Sequence, residues 1–552
     1  MKNIRYIFRL FFAVLLLSVT ACSKKLEEYN PSGLTPATLY TKASGFETLV
    51  NASYSFARFW YGKEEGFHLS EMGTDIWTSG SGDPFPQITQ YNNLQGNAAP
   101  LDLIWNNFYA AVNLCNTGIT SIAAVTDYTD AQKKLREAEL KFLRAFYLWH
   151  IVETWGEVNL STVPTSGAVT TAYKTPVAAF YTQIIDDLKF AVANLNPTTT
   201  DYGRATIPIA KAFLARIYLT RNMNDDAFKM ADDVIKNYGY SLVPNYADLW
   251  NMNNLKNKEI IWAIDYSTNL ANNDLTSPTF PYGHSRGSNT GHMLFLMVYD
   301  QVSTGVLARD LINGRPFNRY MPTKAYLGLF DQTKDARFNG SFQTVWYANK
   351  AGTINGNAIK VGDTVAYCPN ATIPVSNQSK KYFTFDLAAV YGADGTPAQR
   401  KYYLSLSKFK DPTRASVPEA QSARDAFVIR LAEMYLIAAE AKLNQNEPGA
   451  AADLINVLRT RAALPGKVAE MQVTAAQMSI DFLLDERARE LGGEQLRWFD
   501  LKRTNKLKSR IQAMNPDANL YFKDYHLVRP IPQAQVDAVT NKQEFPQNPF
   551  YN

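Results

Sequence analysis

Apolar positions recur at helical spacing through two long stretches of this chain and lose that spacing between them. From Ile480, the residues Leu483, Leu484, Ala488 and Leu491 place one apolar stripe along a helix. Glu486, Arg487, Arg489, Glu490, Glu494 and Arg497 surround the stripe, and Glu486/Arg489 and Arg487/Glu490 stand three apart, the spacing that lets opposite charges pair on a helix. Gly492-Gly493 breaks the helix, and Trp498-Phe499 returns two aromatics to the core. The helix predicted over 137–152 carries two stripes, one with Phe142, Phe146 and Trp149 and the other with Leu140, Leu143 and Tyr147, as expected where stacked helix layers bury both sides. Two helix pairs, Ala210–Leu219 with Ala227–Ile235 and Arg430–Ala441 with Ala450–Leu458, are rich in small residues that let neighbours approach closely, a tetratricopeptide character. The second pair is joined through Pro448-Gly449.

Helical patterning is dense over about 36–240 and 424–512. Between them, residues 241–423 are rich in Asn, Gly, Thr, Ser and aromatics, with short strand-like runs such as Ile260–Ile264 and Phe342–Tyr347. The pattern predicts a mainly α fold, a tetratricopeptide-like helical superhelix with a large loop-rich, partly β insertion. Its divisions are 1–21, a leader; 22–35, a tether; 36–240, the N-terminal helical part; 241–423, the insertion and ligand-binding side; and 424–552, the C-terminal helical part with a closing segment.

The leader has Lys2, Arg5 and Arg9 ahead of an apolar run from Leu10 to Val19, which matches a signal peptide and is too short for a mature membrane span. Val19-Thr20-Ala21-Cys22 reads as a lipobox, making Cys22 the acylated first residue of the mature chain. Lys24, Lys25, Glu27 and Glu28 follow in the tether. Without its leader the chain falls from a formal charge of +5 to about +2. With no Lys/Arg cluster beyond Lys506-Leu-Lys508, nucleic acid is excluded as a partner. Cys115 and Cys368 are expected as free thiols, Cys115 on an apolar helical stretch.

Catalysis has no positive sign. The five histidines form no H-E-x-x-H pair, and His284 and His292 share a loop without a Cys or a close carboxylate, so no metal or other cofactor is expected. No nucleophile elbow, P-loop or dinucleotide fingerprint stands in a strand–turn–helix context. The many carboxylates of the charged helices read as solvated faces. Binding is better supported, because 9 Trp, 31 Tyr and 30 Phe are a large aromatic stock. Sugars present C–H faces to flat rings, while their hydroxyls need polar partners. Glu71–Asp83 places Asp75 and Trp77 in a Gly-rich loop after a helix, a plausible ligand platform.

The block Asp485–Arg503 closely resembles the C-terminal signature of the RagB/SusD family, outer-membrane nutrient-binding lipoproteins of Bacteroidetes. Glu137–His150 with Glu153–Val158, Arg529-Pro-Ile-Pro532 and Gln547–Tyr551 resemble further family segments. Asn159 stands where the family usually has Pro, and Phe550 where Gly is commoner. The resemblance implies a non-catalytic, lipid-anchored, surface-exposed protein of the outer membrane. It would capture oligosaccharides and deliver them to a SusC-like TonB-dependent β-barrel transporter. It also implies a ligand surface combining the early loop with central aromatics, here Asp75, Trp77, Tyr282 and Trp346, with Tyr347 beside them. Arg337, in Asp335-Ala-Arg-Phe338, resembles a family motif of structural character. A peptide-binding member of the same family, a surface glycoside hydrolase and a purely structural helical scaffold stay open as alternatives.

Overall fold

The computed structural model describes residues 39–267 and 289–551. Its longest helix, Asp130–Trp155, starts at a capping box in which Thr129 and Gln132 bond reciprocally, and stops at Gly156, whose φ of 70° favours glycine. Both apolar stripes of this helix are buried, as the two-layer pattern requires. Arg144, inside the same helix, reaches across to Asp187 of the next one with two 2.7 Å bonds.

Helices Ala99–Ser121, Asp130–Trp155, Val177–Asn194, Ile207–Thr220 and Asn224–Asn237 pack each on the next. The stack then continues onto Leu431–Asn444 and Pro448–Ala462, so the superhelix runs across the insertion without a break. The turn of that last pair is Gln445–Glu447, with Asn446 at φ 62°; Pro448 and Gly449 open the following helix, where a proline lacks nothing a first-turn residue needs. Both ends of the insertion meet where Ile260–Ile264 pairs antiparallel with Ala426–Arg430. The insertion otherwise holds two- and three-stranded sheets too small to stand alone. Its core is a lattice of rings that includes Phe295, Tyr320, Tyr326, Phe338, Phe342 and Trp346.

The helix Ile480–Leu491 lies at the junction of superhelix and insertion, capped by Ser479. Its charged residues from Glu486 to Glu490 are buried, contrary to the solvated-face reading, while Asp481 in its first turn stays exposed. Glu486 accepts from Arg337 at 2.8 Å, Arg459 at 2.7 Å and Arg489 at 2.6 Å. Glu490 pairs with Arg430 at 2.7 Å, Arg337 at 3.1 Å and Arg461. The expected Glu486/Arg489 pair forms, but Arg487 turns to Asp500 at 2.7 Å instead of Glu490. Burial alone would raise both glutamate pKa values, yet the surrounding guanidiniums hold Glu486 and Glu490 well below the usual carboxylate range. Arg337, wholly buried and also 2.7 Å from Asp335, ties the insertion to this helix. Gly492 follows because any Cβ there would lie 2.1 Å from the Tyr326 hydroxyl.

Candidate functional ligand face

The Gly-rich loop follows the short helix Glu64–Ser70, and its first half turns inward. Trp77–Ser79 is a strand paired antiparallel with Tyr320–Pro322 of the insertion. Trp77 opens that strand and points into the insertion core, 0 % exposed, with Phe295 at 4.8 Å and Tyr326 at 5.3 Å between ring centroids. A ring with no exposed face cannot stack on a sugar, which corrects the platform expected of Trp77. Asp75 is equally buried. It meets Arg497 at 2.7 and 2.5 Å and Arg510 at 2.9 Å. Burial opposes its charge, but the two arginines outweigh it and lower its pKa. Asp75 is therefore a brace for the loop, out of a ligand's reach.

Trp346 is corrected in the same way. It alternates with Tyr347 along the strand Val345–Tyr347, and side chains of successive strand residues face opposite sides. Trp346 is 1 % exposed, whereas Tyr347 is 55 % exposed. Tyr282, His284 and Cys22 lie outside the described residues. The sequence had marked Gly-rich surroundings as a sign of exposure; the three-residue strand hidden inside them carries too little alternation to be read.

The second half of the loop does reach the surface, and Asp83 organises it. Its carboxylate accepts from Ser79 Oγ at 2.6 Å, Thr89 Oγ1 at 2.7 Å and the Phe85 amide at 2.9 Å, and pairs with His68 Nε2 at 2.9 Å. Burial disfavours a charged His68, but Asp83 overrides it and raises the imidazole pKa. Gly80 and Gly82 are glycines of necessity, since a Cβ on either would lie 2.3 Å from a backbone oxygen of Asn318 or Phe317. That closeness lets the loop lace to the insertion: Gly80 N donates to Arg319 O at 2.8 Å, Gly82 N to Asn318 O at 2.9 Å and Ser81 N to Arg400 O at 3.0 Å. Asn318 Nδ2 in turn donates to Lys401 O at 2.8 Å.

Three segments, 79–85, 315–319 and 400–402, are thus fixed together by backbone bonds. Around them stand half-buried rings. Phe317 has the Arg319 guanidinium 4.9 Å and the Arg315 guanidinium 5.2 Å from its centroid, cation–π distances. Tyr402 stacks on Phe385 at 4.6 Å. Ser81, Pro84 and Lys401 are exposed beside them. Phe317, Arg319, Asp83 and Tyr402 were missed from sequence, although the alternation Arg315-x-Phe317-x-Arg319 is visible there.

Asp83, with four partners, serves as a loop brace. His292 is buried with Nε2 on Ala420 O at 3.0 Å, and burial lowers its pKa to about 4. Among the described residues no cluster of His, Cys, Asp and Glu could hold a metal ion. Cys115 and Cys368 are buried free thiols, and burial pushes Cys115 up to about 12.

Comparison with known proteins adds to this geometry. A family model described as the SusD family matches residues 258–551, and a second, described as starch-binding associating with outer membrane, matches residues 70–219. SusD-like protein P2 of Formosa agariphila is 26 % identical and covers 99 % of each chain; SusD-like protein P25 of the same organism is 24 % identical over 96 % of each. Among solved structures, a laminarin binding SusD-like protein superimposes with a TM-score of 0.70 at 23 % identity, over 93 % of this chain and 100 % of the other.

Proposed function

The chain belongs to the SusD family, and from that premise we propose that it is a non-catalytic binding protein, held on the outer membrane by a lipid on Cys22. It captures oligosaccharides and passes them to a SusC-like TonB-dependent transporter. The observation that carries the ligand reading is the laced junction of loop and insertion, where Phe317 with its two flanking guanidiniums and Tyr402 stacked on Phe385 stand on segments that backbone bonds tie together. A receptor without reacting groups draws its affinity from stacking and from a few hydrogen bonds to hydroxyls. Exposed Ser81 and Lys401 supply the latter, with the half-buried Arg315 and Arg319 beside them, while the Tyr402 and Phe317 rings supply the former. Two structural relatives support carbohydrate as the ligand class: the laminarin binding protein, and a surface glycan-binding protein A from Bacteroides thetaiotaomicron in complex with laminarihexaose. Capture and release need no bond broken, only an affinity that recruits the glycan and still lets it leave.

The test is an affinity screen of soluble protein lacking the leader and Cys22 against polysaccharides, including laminarin, and against peptides. Phe317→Ala and Tyr402→Ala are each expected to weaken the preferred glycan at least about tenfold, or about 1.4 kcal/mol, with an unchanged melting temperature. Peptide binding in place of glycan binding overturns the reading, and so does release of reducing sugar from a bound polysaccharide. Co-purification of the barrel with the full-length, lipidated protein tests delivery.

A further inference from the structure

On the helical body, away from the loop–insertion junction, the Pro197–Arg204 loop and the Asn237–Tyr240 turn enclose a cavity of about 630 Å³. A second hollow of about 410 Å³ shares Thr198, Thr199, Thr200 and Arg204 with it. Both volumes fall within the 300–1,000 Å³ typical of ligand pockets. The floor of the larger one is the strand Ile260–Ile264. That strand has a neighbour on one side only among the described residues, Ala426–Arg430. On its other side the loop touches down at Gly203, whose backbone is left-handed at φ 87° and whose carbonyl accepts from Trp262 Nε1 at 3.0 Å. Ile260, Ile261, Trp262 and Ala263 line the cavity.

The lining has the chemistry of a neutral, hydroxyl-rich ligand. Tyr202, Tyr238 and Tyr240 supply rings, and the exposed side chains of Thr198, Thr200 and Asn237 supply hydroxyls and an amide. Lysine ammonium groups stand against two of the rings, Lys256 at 4.2 Å from the Tyr202 centroid and Lys211 at 5.3 Å from that of Tyr238, which orients them. Burial pushes the Tyr240 phenol up to about 12, so it stays a neutral donor and acceptor. Arg204 is the one charged residue of the larger lining, and it is already engaged by Glu139 at 2.9 Å and Asn51 at 2.5 Å. Lys211 and Lys256 are likewise paired, with Asp233 at 2.8 Å and Asp265 at 3.7 Å, so an ionic ligand would find no free counter-charge there. A hydrophobic one would strand the threonine hydroxyls, at a cost for each unpaired group.

We propose that this groove is a second carbohydrate site, which holds a short neutral segment of the same glycan that the loop–insertion junction binds. The proposal takes its ligand class from the function proposed above but not its place. Two sites on one rigid chain make the second contact with a long polysaccharide intramolecular, so avidity rises without any new contact. Short oligosaccharides gain no such advantage.

Calorimetry on the soluble mature protein tests this with laminarihexaose, maltohexaose, xylohexaose and mannohexaose, together with the parent polysaccharide of whichever binds. Thr199→Trp, an exposed loop substitution that fills the groove, and Tyr238→Ala, which removes a ring, serve as variants; circular dichroism checks their fold. The expected result is a stoichiometry of two in the unsubstituted protein and of one in each groove variant, with the polysaccharide at least tenfold weaker. Phe317→Ala should remove the other site and leave the groove filled. A stoichiometry of one that Thr199→Trp leaves unchanged overturns the groove and leaves the proposed function standing. Failure of every glycan to bind overturns both.

Discussion

Replacing Glu490 with Gln removes one charge from the most connected carboxylate of the junction helix. Glu490 is 0 % exposed and faces Arg430 at 2.7 Å, Arg337 at 3.1 Å and Arg461. Each of those arginines keeps another acid, Glu259 for Arg430 and Arg461 and Glu486 for Arg337. The loss is thus that of one partner from a buried ionic set, about 3–5 kcal/mol, and not that of three isolated pairs. Unfolding entropy is about 2 cal/mol/K per residue, so roughly 500 ordered residues give about 1 kcal/mol/K. A melting temperature lower by about 3–5 °C follows. Urea denaturation at constant salt is the companion assay, because urea does not screen charge. Asp232→Asn is the control: its partner Lys236 is 64 % exposed, so that pair contributes less than about 1 kcal/mol. The reasoning is refuted if Glu490→Gln melts within a degree of the unsubstituted protein, or no lower than Asp232→Asn.

The same helix sets an acid limit. Glu486 and Glu490 have folded pKa values below the ordinary 4.5, so their stabilisation is present above that value and drains away as pH falls beneath it; Glu490→Gln should show a shallower acid loss in melting curves. Trp498→Ala, at a ring 0 % exposed, should cost about 3–5 kcal/mol, with glycan affinity of the folded fraction unchanged; normal melting with lost binding would reverse that. His68 has its pKa raised above 6.5, so the stability its pair with Asp83 lends is complete below 6.5 and lost as pH rises through the folded value. In His68→Gln, measured by thermal melts across pH 6–9, that dependence should be flatter. Cys22→Ala should leave folding intact and free the protein from membrane fractions when its transporter is absent.

The helical part was legible because its signals are redundant. Phe142, Phe146 and Trp149 repeat one stripe over several turns, although the helix read over 137–152 starts earlier, at Asp130, on the cap formed by Thr129 and Gln132. The ligand face was not. Trp77 and Trp346 were chosen for residue type, and each sits in a three-residue strand; around Trp346 a shift of one position exchanges inside for outside, whereas the whole Trp77 strand is buried. Tyr347, one residue on from Trp346, is the exposed neighbour. The charges of Glu486 and Glu490 misled in the opposite sense. Helical periodicity places them beside the apolar stripe but says nothing of Arg337, Arg430, Arg459 and Arg461, which arrive from other segments and make burial possible.

The parts of the chain that announce its family and the parts that would choose its ligand are therefore different in kind. In Asp485–Arg503 the buried charges Glu486 and Glu490 belong to one ionic set, and changing one removes a partner from several others. The block also positions the ligand face. Arg497 of the block and Arg510 grip Asp75 at the root of the Gly-rich loop, while Glu486 and Glu490 grip Arg337 in the insertion. Both halves of the junction hang from one helical region, so the face keeps its geometry whatever its exposed residues are. Phe317, Tyr402, Ser81 and Arg315 stand outside that ionic set, at the edge of the insertion core. Members of one family can then share a frame at low sequence identity and still bind different ligands, and under the proposed function the choice of ligand falls to those few positions, not to the signature.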